Sequence, residues 1–191
     1  MKSPKLPPGQ VEVKKILLRH IGEIPKADLK AWKLTVNGKV ENPLSLTFKE
    51  ILALPKTVSV ADFHCVEGWG VLNNRWEGVL FKTIVEMAKP KKDAKYVVVE
   101  CDDGYSTSLP LSDLLEDDVL LAYGLGDSVL EPERGGPLRL VVPKKYAYKS
   151  AMWVRKIRFT NRHELGYWEE RGYSDTADPW KEDRYAKQKG Q

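Results

Sequence analysis

The chain has 191 residues, and its 31 Lys and Arg against 27 Asp and Glu give a formal net charge of +4. Hydrophobic residues make up 42% and charged residues 30%, a composition that excludes a wholly disordered chain, a collagen or a coiled coil. No stretch approaches the roughly 20 apolar residues of a membrane-spanning helix, so we expect no transmembrane segment. The pI is about 8.9, but acidic residues are interspersed throughout. With no sharp basic stripe, we expect no nucleic-acid partner.

Two cysteines, Cys65 and Cys101, are too few for a disulfide framework. The N-terminus is charged at its start, with no apolar core behind it and no twin-arginine pair. This pattern predicts a cytoplasmic protein, or a periplasmic one if a leader is missing.

The predicted elements begin after an irregular, proline-rich arm over residues 1–10. Alternating apolar residues predict a strand over 31–36, and Asn37-Gly38 is typical of a type I′ hairpin turn. We therefore expect a short return arm that ends at Asn42-Pro43.

A helix is predicted over 45–54, because Thr47 followed by Glu50 is a capping box. A strand over 57–65 is expected to end at His64-Cys65, with a turn at 68–70. The remaining predicted elements are a helix over 81–88, strands over 96–101 and 105–109, a helix over 111–115, a strand over 119–123, a loop over 124–136, and strands over 138–142 and 150–159.

The last segment, 161–191, mixes aromatic residues with many charges and has no clean period. We expect it to wrap over the body and bury its rings. The sequence thus predicts an α+β fold with mixed or antiparallel sheets and short peripheral helices. Its parts are an arm (1–10), one catalytic domain (11–160) and a packed C-terminal segment (161–191).

The sharpest local feature runs from Phe63 to Trp69, where Cys65 ends a strand just before a glycine-bracketed turn. A thiolate there could be a nucleophile or a soft metal ligand, and a small buried hydrophobe is the competing interpretation. Alternation along the strand points His64 to the opposite face. A Cys65–Cys101 disulfide is disfavoured in a cytoplasmic protein.

Cationic residues form the other candidates. Arg19-His20 follows an apolar stretch, and Arg134 and Arg139 flank a Gly-Gly-Pro segment suited to an anionic group. Lys144, Lys145 and Lys149 add positive charge after the next strand. Each alone is more often part of a solvated face. No P-loop, dinucleotide-binding, zinc-ligand or nucleophile-elbow spacing is present.

Four stretches in order carry a family resemblance. They are 32–44, 64–69, the pair 118–123 and 135–143, and 148–154. With these stretches the chain resembles the oxidoreductase molybdopterin-binding domain shared by sulfite oxidase and the protein-methionine-sulfoxide reductase catalytic subunit. The likeness implies the sulfite-oxidase-type fold and a small single-domain prokaryotic member.

The resemblance implies a molybdenum ion held by the dithiolene of molybdopterin and by the thiolate of Cys65. It implies no haem in this chain and a separate electron-transfer partner. Tyr123 matches the family's active-site tyrosine. The positions implied to contact the pterin or its phosphate are Arg19, His20, His64, Asp103, Arg139, Lys149 and Ser150, with Lys144 or Lys145 as a substitute. For Arg139 a structural ion pair is an equal alternative.

Departures from the family bear on the reaction. Arg134 stands where many relatives have His, and Met152 where sulfite oxidases have Lys. Glu67 follows the cysteine as in the sulfoxide-reductase branch, and a carboxylate there would repel the sulfite dianion. We therefore expect oxygen-atom removal from a sulfoxide or an N-oxide-type substrate, with Cys65, Tyr123 and Glu67 as catalytic residues. The alternatives are oxidation of sulfite or another oxyanion, and a cofactor-free binding module.

Overall fold

The structure is a computed structural model that describes residues 6–187. Its strands are β1 (Val11–Glu12), β2 (Lys33–Gly38), β3 (Leu44–Thr47), β4 (Lys56–Cys65), β5 (Trp69–Leu80), β6 (Tyr96–Cys101), β7 (Ser106–Pro110), β8 (Leu120–Leu125), β9 (Ser128–Val129), β10 (Arg139–Val141) and β11 (Val154–Thr160). Its α-helices are α1 (Phe48–Ala53), α2 (Phe81–Ala88) and α3 (Leu111–Leu114). Short 3₁₀ turns cover Pro132–Arg134, Ala147–Lys149, Glu169–Arg171 and Pro179–Lys181.

The strands form two mixed sheets, as the α+β prediction requires. The first follows the order β1-β5-β8-β10, with β4 also paired to β5 and β9 to β8. The second follows the order β3-β2-β11-β6-β7. The pairs β1–β5 and β2–β11 are parallel and the other pairs are antiparallel.

The larger hydrophobic core includes inward residues of both sheets and the buried face of α2, such as Phe81 and Ile84. A second, smaller core surrounds Phe63, Trp69 and Trp76, and Cys65 belongs to it. Successive residues of a strand face opposite sides, so Leu120 and Leu121 lie in different cores. The site described below opens beside the smaller core.

Two helix predictions are confirmed, the first by its capping box and the second by its bounds. Thr47 caps α1 with its side chain, and the Glu50 carboxylate accepts a hydrogen bond from the Thr47 backbone, which completes the capping box. The helix itself is shorter than predicted, since Leu44–Thr47 is a strand. Helix α2 has the predicted bounds, and its C-cap Lys89 takes the left-handed conformation.

The hairpin prediction at Asn37-Gly38 is wrong. The return strand begins only at Leu44, because the intervening chain pairs elsewhere. The backbone N–H of Lys39 donates to Phe159 at 2.8 Å, and its carbonyl accepts from Lys91 at 2.9 Å. Gly38 has φ +87°, and a Cβ there would lie 2.2 Å from the Phe159 carbonyl oxygen. Glycine is thus needed at position 38 because the backbone of β2 lies close to that of β11, and not because the chain forms a tight hairpin turn.

Two further predictions differ from the structure. Residues 69–80 form the long strand β5, although only a turn at 68–70 was predicted there. Short β9 lies within the predicted loop 124–136. The last strand begins at Val154 rather than at residue 150, because Trp153 has φ +51° and cannot continue an extended strand.

An irregular arm was predicted over residues 1–10, of which residues 1–5 lie outside the described residues. Residues 6–10 form no helix or strand. At the other end, Tyr167 and Trp168 pack against the larger core. Trp180 and Tyr185 remain 45% and 64% exposed, so the expected burial of the rings is incomplete. Residues 188–191 also lie outside the described residues.

Candidate functional site

A cavity of about 330 Å³ opens at the end of β4. Its wall includes the irregular segment 16–21, the turn that follows β4, residues of the segment 147–152 and aromatic residues of the C-terminal segment. Of the residues proposed from sequence, the lining includes Arg19, His20, Cys65, Glu67, Asp103, Arg139 and Ser150. The fold thus brings together side chains that are up to 131 positions apart (Arg19 to Ser150).

Cys65 is the last residue of β4 and its side chain belongs to the cavity wall. Its backbone carbonyl accepts hydrogen bonds from the Gln10 side-chain amide at 2.9 Å and the Gly68 backbone at 3.1 Å, which fixes the turn. Burial raises the pKa of the Cys65 thiol to about 11. A free Cys65 is therefore protonated near neutral pH and a poor nucleophile, whereas metal coordination would hold it as thiolate.

Glu67 follows at the cavity rim and is held from two sides. Its carboxylate accepts from Arg19 Nε at 2.8 Å and from Trp69 Nε1 at 3.0 Å. The hydrogen bond from Arg19 lowers the pKa of Glu67 and raises that of Arg19. The pair is neutral overall, so Glu67 alone does not give this rim a negative charge.

Arg139 lies on β10 with 3% of its surface exposed. Its terminal nitrogens donate to the carbonyls of Arg134 at 2.9 Å and Ser150 at 3.1 Å, and its guanidinium lies 5.3 Å from the Phe63 ring centroid. Burial lowers its pKa to about 10. Within the described chain it has no carboxylate partner, so the ion-pair alternative finds no support there. Its buried Nε has no hydrogen-bond partner in the described structure.

Three smaller polar groups complete this lining. His20 Nδ1 lies 2.6 Å from the Gly22 carbonyl, so Nδ1 carries a proton and Nε2 is left for another partner. Ser150 Oγ accepts from the Val142 backbone at 2.9 Å and keeps its own proton to donate. Asp103 accepts from the Tyr105 backbone at 3.0 Å, and burial raises its pKa.

Two other proposed residues lie away from the cavity. His64 is 3% exposed, does not belong to the lining, and packs instead near the Trp180 ring. This agrees with strand alternation, which turns it away from the side of Cys65. Tyr123 belongs to the larger core, together with Leu121, and is also absent from the lining. This placement gives no support to a direct role of either residue.

Lys144 and Lys149, two of the three lysines proposed from sequence, have other partners. Exposed Lys144 pairs with Glu116 at 2.6 Å. Lys149 has no exposed surface, and its ammonium group donates to the Glu169 carboxylate, to Asp175 at 3.1 Å and to the Ser108 carbonyl at 2.9 Å. Its three protons are thus engaged, and two of them join the C-terminal segment to the body. Neither lysine lines the cavity.

The sequence interpretation missed four aromatic residues in the wall: Tyr105, Tyr148, Trp168 and Tyr173. Tyr105 donates to the Tyr148 carbonyl, and Tyr148 donates to the Ser174 carbonyl at 2.6 Å. The many aromatic residues after residue 160 are visible in the sequence. They predicted packing of this segment against the body, but not its contribution to the cavity wall. Both cysteines are free, and Cys101 lies outside this lining.

The profile of a family described as the oxidoreductase molybdopterin binding domain matches residues 21–168. The chain belongs to this family. The matched range starts just after Arg19 and His20, so the contacts implied for those two residues fall outside it. Membership and the sulfite-oxidase-type fold expected from sequence are thereby confirmed.

Named relatives agree with this membership. The chain is 41% identical to the uncharacterized oxidoreductase YuiH of Bacillus subtilis (strain 168), an alignment that covers 96% of this chain and 93% of YuiH. It is 33% identical to the putative protein-methionine-sulfoxide reductase subunit YedZ1 of Azospira oryzae, over 80% of this chain and 58% of that protein. It is also 33% identical to the protein-methionine-sulfoxide reductase catalytic subunit MsrP of Campylobacter jejuni, over 72% of this chain and 52% of MsrP.

A solved structure gives the same result for the fold. The sulfane dehydrogenase SoxCD of Paracoccus pantotrophus superposes with a TM-score of 0.71 at 27% identity, covering 76% of this chain and 42% of that chain. The chain thus spans nearly all of YuiH but only about half of the sulfoxide-reductase relatives. No helix within residues 6–187 is long and apolar enough to cross a membrane.

The cavity fits the cofactor of this family on three observations. Its volume of about 330 Å³ lies within the range of small-molecule sites. Cys65 offers a thiol in its wall, and thiolate sulfur suits a soft metal–sulfur centre. The unpartnered Arg139 Nε marks a buried donor that lacks an acceptor.

Proposed function

We propose that this protein is a molybdopterin-dependent oxidoreductase that removes an oxygen atom from a sulfoxide or an N-oxide-type substrate. The observation that carries the proposal is the Cys65 thiol in the wall of a cavity that also contains buried Arg139. Relatives named as protein-methionine-sulfoxide reductases, 31–33% identical, support this direction of reaction.

In this proposal the lining residues hold the cofactor. Cys65 would bind the molybdenum, while Arg139, Ser150, His20 and Asp103 would hold the polar edge of the pterin. When bound, the cofactor supplies the two-electron oxygen-atom-transfer chemistry that side chains lack. The roles sequence resemblance implies for His64, Tyr123, Lys144 and Lys149 are proposals without support from their positions.

The reaction of a sulfoxide balances as R₂SO + 2e⁻ + 2H⁺ → R₂S + H₂O. The S–O bond breaks, the sulfur is reduced, and the oxygen leaves as water. The substrate is neutral, which suits a rim where Arg19 and Glu67 cancel each other's charge. Phe63, Trp69 and Trp168 give the cavity an apolar wall for the alkyl groups and exclude bulk water.

Oxidation of sulfite or another oxyanion is the second candidate. Three arginines in the lining, Arg19, Arg134 and Arg139, favour an anion, and the solved relative is a sulfane dehydrogenase. A non-enzymatic binding module on the same scaffold is not favoured by any lining residue.

The test compares both directions on cofactor-loaded protein. Reduced benzyl viologen serves as the electron donor with dimethyl sulfoxide, methionine sulfoxide or trimethylamine N-oxide. Ferricyanide serves as the acceptor with sulfite. We expect reduction of a sulfoxide or an N-oxide to exceed sulfite oxidation by at least tenfold in kcat/KM. Faster sulfite oxidation would replace the proposal with the second candidate.

Two further expectations complete the proposal. The electrons come from a separate redox protein, because the proposed reaction consumes two electrons per turnover. The cytoplasmic location and the absence of haem stay predictions from the sequence.

A further inference from the structure

A second depression, which we call the basic groove, lies beside the cavity and has a volume of about 450 Å³. Four cationic side chains and one carboxylate line it: Lys14, Lys15, Arg75, Arg134 and Glu131. Such an excess of one charge over a concave surface attracts the opposite charge and raises association rates.

The two lysines are available to a partner. Lys14 and Lys15 are exposed, and neither forms an ion pair with any residue in 6–187. Arg75 donates to the Gly126 carbonyl at 2.9 Å and lies 3.5 Å from Asp127, a carboxylate whose side chain is 99% exposed. The groove therefore keeps a net positive charge, with four cations against Glu131 and Asp127.

The groove also has an apolar part. Val129 on β9 is 82% exposed within the lining, and the buried Leu130 lies next to it. Val129 thus adds one exposed apolar side chain to a surface that is otherwise rimmed by charges.

The groove and the cavity share a wall. Ile16 and Arg134 line both, and Arg134 Nη1 donates to the Ile16 carbonyl at 3.1 Å. A molecule in the groove would therefore be separated from the cavity by this single layer of side chains.

We propose that the basic groove docks the acidic face of a small electron-transfer protein, of the flavodoxin or ferredoxin type, that reduces the cofactor site. The inference rests on the proposed function, since it names the electron donor for that reaction. Charge complementarity selects an acidic partner, and the shared wall gives electrons a short path through Ile16 and Arg134. The substrate enters the cavity itself, so it does not compete for the groove.

The test uses cofactor-loaded protein with purified flavodoxin and [2Fe–2S] ferredoxin as probes. Binding is measured by microscale thermophoresis at 20 and 200 mM salt. Turnover with a sulfoxide is then measured with the reduced carrier and, separately, with reduced benzyl viologen, a small dye that needs no docking surface.

The variant is Lys14→Glu/Lys15→Glu. Its control is Lys26→Glu/Lys30→Glu, which changes the net charge equally at two exposed lysines outside the groove. We expect the groove variant to raise the Kd for a carrier at least tenfold at low salt and to slow carrier-driven turnover. Viologen-driven turnover should be unchanged, and the control should stay within twofold of wild type.

Three results would overturn the inference: no salt-sensitive binding of either carrier to wild type, an equal effect of the control, or a groove variant that changes only the KM for the sulfoxide. The last result would assign the groove to the substrate. Failure of the proposed function is recognised separately, because wild type would then reduce no sulfoxide or N-oxide with viologen while carrier binding could still be measured.

Discussion

Arg19 Nε donates to both carboxylate oxygens of Glu67, at 2.8 and 3.0 Å, and so ties the irregular N-terminal segment to the turn after Cys65. Both side chains are about half exposed, at 57% and 44%. The bond therefore contributes little to folding stability. Its greater effect is on charge, since it cancels a positive and a negative group at the cavity rim.

Glu67→Gln should make the cavity more attractive to anions, because the Arg19 charge would lose its partner. We expect the Ki for competing sulfate in the viologen assay to fall about fivefold, which corresponds to about 1 kcal/mol. Iodide, an anion that quenches tryptophan fluorescence, gives an independent measure of anion access, since Trp69 contacts Glu67. The double variant Arg19→Gln/Glu67→Gln should return the Ki to the wild-type value. An unchanged Ki in the single variant would show that the pair does not control anion access.

Lys149→Met should destabilise the fold strongly, because Glu169 would remain buried without its cation. Breaking a buried ion pair costs about 3–5 kcal/mol. Lys144→Met is the matched control, since it breaks an exposed pair with Glu116 and should cost less than about 1 kcal/mol. Urea unfolding of both variants measures the difference. Equal losses would contradict the role of Lys149 in joining the C-terminal segment to the body.

The Arg158–Glu164 pair predicts a pH dependence of stability. Hydrogen bonds from Arg158 at 2.8 Å lower the pKa of Glu164 below its usual value of 4.5. The pair therefore stabilises the folded state at pH values above 4.5, and this contribution is lost as the pH falls through the lowered pKa.

The variant Glu164→Gln should thus be less stable than wild type at pH 7, by less than about 1 kcal/mol because the pair is partly exposed. The difference should shrink as the pH is lowered from 4.5 through the lowered pKa of Glu164. Urea unfolding at several pH values measures it, with Glu170→Gln as a control for an exposed glutamate that has no ion pair within residues 6–187. If the stability difference between wild type and Glu164→Gln grew as the pH fell, the ionised Glu164 would not be the stabilising form.

Some of this structure could be predicted from local sequence. The capping box at Thr47 and the bounds of α2 follow from interactions between residues a few positions apart. The position of the Cys65 thiol at the end of β4 follows from alternation and the glycines of the next turn. These features need no knowledge of distant parts of the chain.

Other features depend on contacts between distant residues. Strand β5 contains Gly78, which normally indicates a break, but a Cβ there would lie 2.2 Å from the Leu121 carbonyl oxygen. The neighbouring strand requires that glycine, and nothing local in the sequence indicates it. Likewise, Lys149 suggests an anion-binding lysine until Glu169 and Asp175, 20 and 26 residues away, are found to surround it. The sequence resemblance correctly identified the family and several of the side chains that line the cavity, but it also implied His64, Tyr123 and Lys149, which do not line it.

The central claim is that Cys65 is the protein ligand of a molybdenum–molybdopterin cofactor in this cavity. Its most direct measurement is molybdenum and pterin content per chain for wild type, Cys65→Ala and Cys101→Ala, produced in a host that makes the cofactor. We predict near one molybdenum and one pterin in wild type and in the Cys101 variant, and a large loss of molybdenum in the Cys65 variant. Full molybdenum with an unchanged visible spectrum in Cys65→Ala, or no cofactor in wild type while the host's other molybdoenzymes are loaded, would contradict the claim.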